Sequence, residues 1–307
     1  MESTTRRAPI GRLAGPRVRI LERETHLGYL LLAPALLLLL VFVAYPFFFG
    51  IWLSLSSTQI GQIGHWVGLG NFQFERGDTV FIQSFLNTVG YTAVTTVFKL
   101  ALGLIMALLL NQVFPAQRFV RAALLLPWII PSVLSTLAWR WMFDPTFSVV
   151  NWVMIHAHLY ASGVDWLGKT NSALASLSIV NIWRGTPFYG IAFLAGLQTI
   201  PVDLYEAARV DGASRWQQFR SITVPGLRPV LVVVLLLSTI LTFGDFTLPY
   251  VLTNGAPYNS THVLSTWAFA IGVNGGYIGI GAAISLVLFP LLTAIVAGTL
   301  VVLRRPE

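Results

Sequence analysis

"YLLLAPALLLLLVFVAYPFFFGIWLSL" runs from Tyr29 to Leu55 without one charged residue. As a helix it reaches about 40 Å, more than the roughly 30 Å of bilayer hydrocarbon. An ordinary soluble helix carries one apolar stripe, whereas this stretch is apolar all round, so it predicts a membrane span. Pro34 and Pro46 are expected to bend the span or mark its ends. The basic segment before it resembles a signal-peptide leader, but the apolar run is too long and lacks a small-residue cleavage site.

The rest of the chain agrees. Of 307 residues, 55% are hydrophobic and only 10% are charged, and the mean hydropathy is +0.73. That is too little charge to cover a soluble surface, so the chain reads as an all-α integral membrane protein. Apolar runs predict six transmembrane helices, at about 29–55, 85–111, 121–142, 171–198, 228–253 and 277–303. There is no cysteine, which excludes disulfides, thiolate metal sites and cysteine nucleophiles. No short repeat or second domain is evident.

The net charge is +7, and topology accounts for it. With a cytoplasmic amino terminus, the inner segments hold six arginines in the tail, two at 112–121, four at 199–228 and two at the end. The outer loops hold only Arg76 and Lys169. This asymmetry places both termini inside and leaves nucleic acid without a motive as a partner. The tail, residues 1–28, reads as a cytoplasmic orientation signal near anionic lipid headgroups. Residues 29–307 form the transmembrane domain.

One inner loop, 199–227, stands out. Asp203, Glu206, Arg209, Asp211, Arg215 and Arg220 fall within eighteen positions. Pro201 and Asp203 suit the first turn of a helix "VDLYEAARV", and Gly212 supplies a left-handed stop. Ser214 can cap a second short helix, "RWQQFRSI", before Pro225 and Pro229 bracket re-entry into the fifth span. On local physics alone this is either a docking surface or an amphipathic connector.

"EAARVDGASRWQQFRSITVP" resembles the EAA loop of permease subunits in binding-protein-dependent (type I) ABC importers. Glu206, Ala207, Ala208, Gly212, Ile222 and Pro225 match that pattern, and Val224 stands where leucine is usual. "GLGNF" (68–72), "NIWRGTPF" (181–188), "AGLQTIPVDLYEAA" (195–208) and "LTNGAP" (252–257) resemble the sugar-uptake, maltose-type branch. The resemblance implies a coupling helix, carrying Glu206, Ala207, Ala208, Asp211 and Gly212, that docks on a separate ATPase dimer. It also implies a second permease subunit, an extracytoplasmic solute-binding protein meeting the outer loops at 57–84, 143–170 and 254–276, and a bacterial or archaeal cell membrane. No cofactor is expected.

Ionisable groups within a membrane need a reason. Arg140 is expected to pair with Asp144 at a helix end. Asp245 is the sole acid within a span; it either pairs with Arg184 or Lys99 or belongs to a polar lane for solute. Ser238, Thr242 and Asp245 share one face of span five, and Asn181, Arg184, Gly185 and Phe188 one face of span four. The resemblance implies that these positions, with Leu241, line the sugar path. Two mid-membrane bases against one acid leave a polyol phosphate or other anion open as cargo. Gly185-Thr186-Pro187 is expected to break span four, and Leu248-Pro249 to kink span five.

Other classes find less support. The histidines (His26, His65, His156, His158, His262) are scattered among loops, and no metal motif, serine elbow or P-loop is present. Any ATP is therefore hydrolysed elsewhere, and the chain is not an enzyme. A stand-alone secondary transporter predicts inverted internal symmetry, which is not evident, and leaves the 201–225 loop unexplained.

Overall fold

The computed structural model describes residues 24–304. Residues 1–23 of the basic tail lie outside the described residues. The chain divides into two units, 1–52 and 53–307.

In the first unit, α1 (Glu24–Leu39) and α2 (Tyr45–Ser54) are joined by a π-helical turn, Leu40–Ala44. Together they make an apolar rod from Gly28 to Ser54, none of whose most apolar window is buried. Neither proline ends it. Pro46 lacks an N–H for the ordinary helical ladder, and the wider π turn immediately before it accommodates that gap.

The second unit is helical apart from two isolated antiparallel bridges, Ser56 with Trp66 and Gln59 with Gln62. It comprises α3 (Gly70–Gly77), α4 (Thr79–Leu110), α5 (Gln117–Ile129), α6 (Ser132–Met142), α7 (Val149–His156) and α8 (Thr170–Thr199). Then follow α9 (Val202–Val210), α10 (Arg215–Gln218), a π turn (Phe219–Thr223), α11 (Val224–Phe243), α12 (Thr247–Leu252), α13 (Leu264–Phe269), a second π turn (Ala270–Asn274) and α14 (Ile278–Arg304).

Among the described residues, four helical segments are long and apolar enough to cross a membrane: Gly28–Ser54, Thr79–Leu110, Arg215–Phe243 and Ile278–Val301. The expected third span, 121–142, is instead α5 and α6 meeting at 90°. Pro131 explains the break: it forces Ile130 into an extended conformation (ψ 133°) and then starts α6. The expected fourth span is the 30-residue helix α8, which falls short of the apolarity of those four. It packs against α4, α5, α11 and α12, so its neighbours are protein, and polar residues such as Asn181 and Ser176 are buried on it.

Two expected breaks shift. Gly185-Thr186-Pro187 does not interrupt α8. An interior proline costs about 3 kcal/mol through a lost ladder bond and a steric clash, but α8 stays continuous among its flanking helices, and Thr186 Oγ1 donates to the Ile182 carbonyl at 2.7 Å. In span five the break falls at 244–246, before the Leu248-Pro249 pair, where α11 ends and α12 begins.

The α4–α8 crossing organises the unit. At Gly103 a β-carbon would overlap the Tyr189 side chain and come within 3.1 Å of the Gly190 nitrogen. Ala107, Tyr189, Phe193 and Leu197 fill the core beside that contact. A second cluster of Phe143, Trp166, Leu177 and Leu248 closes the opposite end of α8. Gly103→Leu is expected to push the two helices apart, costing about 1–3 kcal/mol and lowering the Tm of the detergent-purified protein. An unchanged Tm would show the crossing to be loose.

Candidate functional site

Helix α4 carries a buried polar stripe: Ser84, Asn87, Thr88, Tyr91, Thr92, Thr95 and Lys99. The spacing of three and four residues keeps them on one face. Its amino-terminal part holds the loop between α12 and α13. Asn87 Nδ2 donates to the carbonyls of Ser260 and His262 at 2.8 and 2.9 Å, and Thr88 Oγ1 accepts from the Leu264 amide at 2.8 Å. The His262 ring is held within that loop, where burial lowers its pKa below the usual imidazole value.

The carboxy-terminal part builds a charged cluster. Lys99 is 2% exposed, so its ammonium requires partners. Its Nζ donates to Asn181 Oδ1 on α8 at 2.9 Å and to Thr242 Oγ1 on α11 at 2.8 Å. Asn181 Nδ2 turns to Asp245 Oδ2 at 3.4 Å, which also accepts from Tyr91 Oη at 3.3 Å. Asp245 Oδ1 accepts from the Leu248 amide at 3.3 Å. The carboxylate therefore sits just past the end of α11 and caps the start of α12, while Asn181 relays between it and Lys99.

Of the expected path residues, the structure brings together Asn181, Thr242 and Asp245 around Lys99. Gly185 also belongs here, because a β-carbon there would overlap Lys99 Cδ; the space it leaves is occupied by the lysine stem. Ser238 is buried one turn before Thr242 on α11. The others stand apart. Phe188 stacks on Trp128 of α5 with centroids 6.1 Å apart, and Leu241 is 69% exposed. Arg184 forms no ion pair with Asp245 among the described residues, and its buried Nε has no hydrogen-bond partner there. Arg140 likewise donates to the Val251 carbonyl at 3.3 Å, not to Asp144, whose carboxylate accepts from the Thr146 amide at 2.8 Å.

Tyr91 and the rest of the α4 stripe went unassigned in the sequence, and Lys99 entered only as a charge to be balanced. The periodic polar residues in the second apolar run were the available signal. A concavity of about 1150 Å³ is lined by apolar residues such as Val94, Phe98, Leu102 and Ile105 along α4. It offers little to a hydroxyl-rich solute, so the polar cluster is the better candidate.

At the other end of α8, the charged loop forms two helices as expected, but the second does not stop. From Arg215 the backbone runs through the π turn into α11 as one 29-residue helix ending at Phe243. Pro225 lies inside this continuous helix, just after the π turn, whose wider ladder accommodates its missing N–H as the one before Pro46 does. The turn between α9 and α10 is made by Gly212 at φ +77°. Ser214 closes a capping box with Gln217. Glu206 is 64% exposed and only 3.9 Å from Arg209 in a weak surface pair. Ala207 and the Asp211–Gly212 turn are exposed, and Ala208 is half-buried.

Residues 99–304 match the family of binding-protein-dependent transport system inner membrane components. The trehalose/maltose transport system permease protein MalF of Thermococcus litoralis is 40% identical over 88% of this chain and 90% of its own length. The sulfoquinovosyl glycerol transport system permease protein SmoG of Agrobacterium fabrum is 37% identical over 92% of this chain and 91% of its own. A bacterial alginate ABC transporter, solved with an alginate pentasaccharide-bound periplasmic protein, contains a chain that superimposes with a TM-score of 0.80 at 25% identity, covering 94% of this chain and 97% of that one. The chain belongs to this family of ABC importer permeases, in its carbohydrate-uptake branch. It is an integral, non-catalytic subunit, and ATP hydrolysis belongs to a separate ATPase.

Lys99→Ala removes the cation from a buried acid and leaves Asn181 and Thr242 unpaired, so it is expected to cost about 3–5 kcal/mol and reduce the yield of folded protein. Arg184→Ala removes a group without a hydrogen-bond partner; native yield with altered uptake is expected. Equal losses of folded protein would make both structural.

Proposed function

We propose that this chain forms half of the translocation path of an ATP-driven importer for a sugar or sugar-like solute. Its partners are a second, homologous permease subunit, an ABC ATPase dimer on the inner face and a solute-binding protein on the outer face. The path runs beside Lys99, Asn181, Thr242 and Asp245, whose donors and acceptors stand in for the water around solute hydroxyls. Six crossings, with α5–α6 and α8 as the third and fourth, put both termini and the 199–227 loop in the cytoplasm. The sugar cargo is supported by the names of the trehalose/maltose and alginate relatives. The sulfoquinovosyl glycerol relative supports a charged sugar derivative as the second reading.

The observation that carries the proposal is the coupling loop. It exposes Glu206, Ala207 and Gly212, and its second helix, from Arg215, runs without a break into the span that ends in the polar cluster. Glu206 offers a carboxylate engaged only in a weak, exposed pair with Arg209 to a basic residue of the ATPase. Gly212→Pro cannot adopt φ +77°, because proline fixes φ near −65°. Glu206→Lys and Gly212→Pro are expected to abolish uptake in cells while leaving the chain in the membrane at native levels. Normal uptake by both would remove the coupling assignment. Active accumulation of solute by the purified chain alone in liposomes would remove the importer reading.

A further inference from the structure

The joint between the charged loop and the spans is built more tightly than a connector requires. Tyr205, on the face of α9 opposite the exposed residues, reaches Thr223 in the π turn, Oη to Oγ1 at 2.9 Å. Thr223 is 5% exposed, and the Tyr205 ring packs against the core that contains Leu197, Ile200 and Leu227. Two glycines close the same seam. At Gly196 of α8 a β-carbon would approach Leu227 Cδ2 and Val230 Cγ2 to 2.9 Å. At Gly226 of α11 it would approach Ile200 Cδ1 to 2.7 Å. Three elements thus meet at one locked point: the end of α8, helix α9 and the root of α11.

We infer that Tyr205 and Thr223 form a strut that fixes the coupling helix α9 to the root of α11, so that α8, α9 and α11 move as one body when the ATPase moves. The inference rests on the coupling reading of the 199–227 loop. A connector that merely joined spans would need no hydrogen bond across it and no glycine-tight seam. The geometry also fits the task. Asn181 lies on α8 and Thr242 on α11, both bonded to Lys99. A displacement entering at α9 reaches both through the strut and the seam, and keeps their mutual geometry. Without the strut, α9 remains joined to α11 by the apolar packing of the Tyr205 ring and by the left-handed turn at Gly212, neither of which fixes a hydrogen-bonded geometry between α9 and the π turn. Tyr205 and Thr223 are positioning residues in this account; neither touches the solute.

The test uses spin labels, which the absence of cysteine makes direct. Labels are placed at Val210→Cys, at the end of α9, and Leu237→Cys, on α11, both exposed positions. Their separation is measured in the full complex with its ATPase, without nucleotide and with ATP. The expected native result is a narrow distribution that shifts by less than about 2 Å, the size of an ordinary helix adjustment. Tyr205→Phe and Thr223→Val are each expected to broaden it and make it nucleotide-dependent, with the double variant no worse than either single one. Thr223→Ser, which keeps the hydroxyl, restores the native width. A native distribution that already shifts with ATP, or single variants indistinguishable from native, would overturn the strut. So would failure of both variants to assemble, because the bond would then serve folding alone. Glu206→Lys in the same preparation separates the two ideas: continued ATPase binding there would sink the coupling reading while leaving the strut measurement intact.

Discussion

A lysine ammonium buried among membrane helices is the constraint around which the polar interior is arranged. Leaving such a charge unpaired costs several kcal/mol, so Lys99 obliges α8 and α11 to present oxygen atoms to it. Asn181 and Thr242 do so at 2.9 and 2.8 Å. Asn181 spends its amide nitrogen on Asp245, so the acid and the base balance without direct contact. Gly185 is small because the lysine stem passes over it. One charge therefore sets the identity of residues on two helices, α8 and α11.

Close approach of the helices makes those short bonds possible. Gly103 on α4 and Gly190 on α8 let the backbones come together, and Tyr189 lies across the crossing. Gly196 and Gly226 do the same between the C-terminal end of α8 and the root of α11. With no hydrophobic drive between helices in lipid, such small-residue contacts and interhelical hydrogen bonds supply the cohesion. The seam at the C-terminal end of α8 and the polar cluster further along α8 and α11 thus belong to the same pair of helices.

Much of this was legible in the residue order. The apolar runs announced a membrane protein, and the charge-dense loop was correctly read as two helices with a left-handed turn at Gly212 and a cap at Ser214, since these depend on neighbours a few residues apart. The family assignment followed from motifs of the same local kind. Less legible were the elements whose state depends on distant packing. Pro187 reads as a break but lies inside a continuous helix; Pro131, within an apolar run, marks a right-angled bend. The second loop helix merges with α11, although Pro225 and Pro229 suggested separation.

The sequence by itself determined the class, the apolar segments and the loop, because hydrophobicity, charge placement and turn chemistry act over short stretches of chain. The tertiary structure alone decided which candidate residues meet. Three of the expected path positions gathered around a lysine that had been counted only as a charge, while Phe188 and Leu241 turned elsewhere. Helical periodicity specifies a face but not the neighbour it meets. Which face of α8 looks at α4, and which at α11, is settled by where glycines let the helices approach and where a buried charge demands a partner.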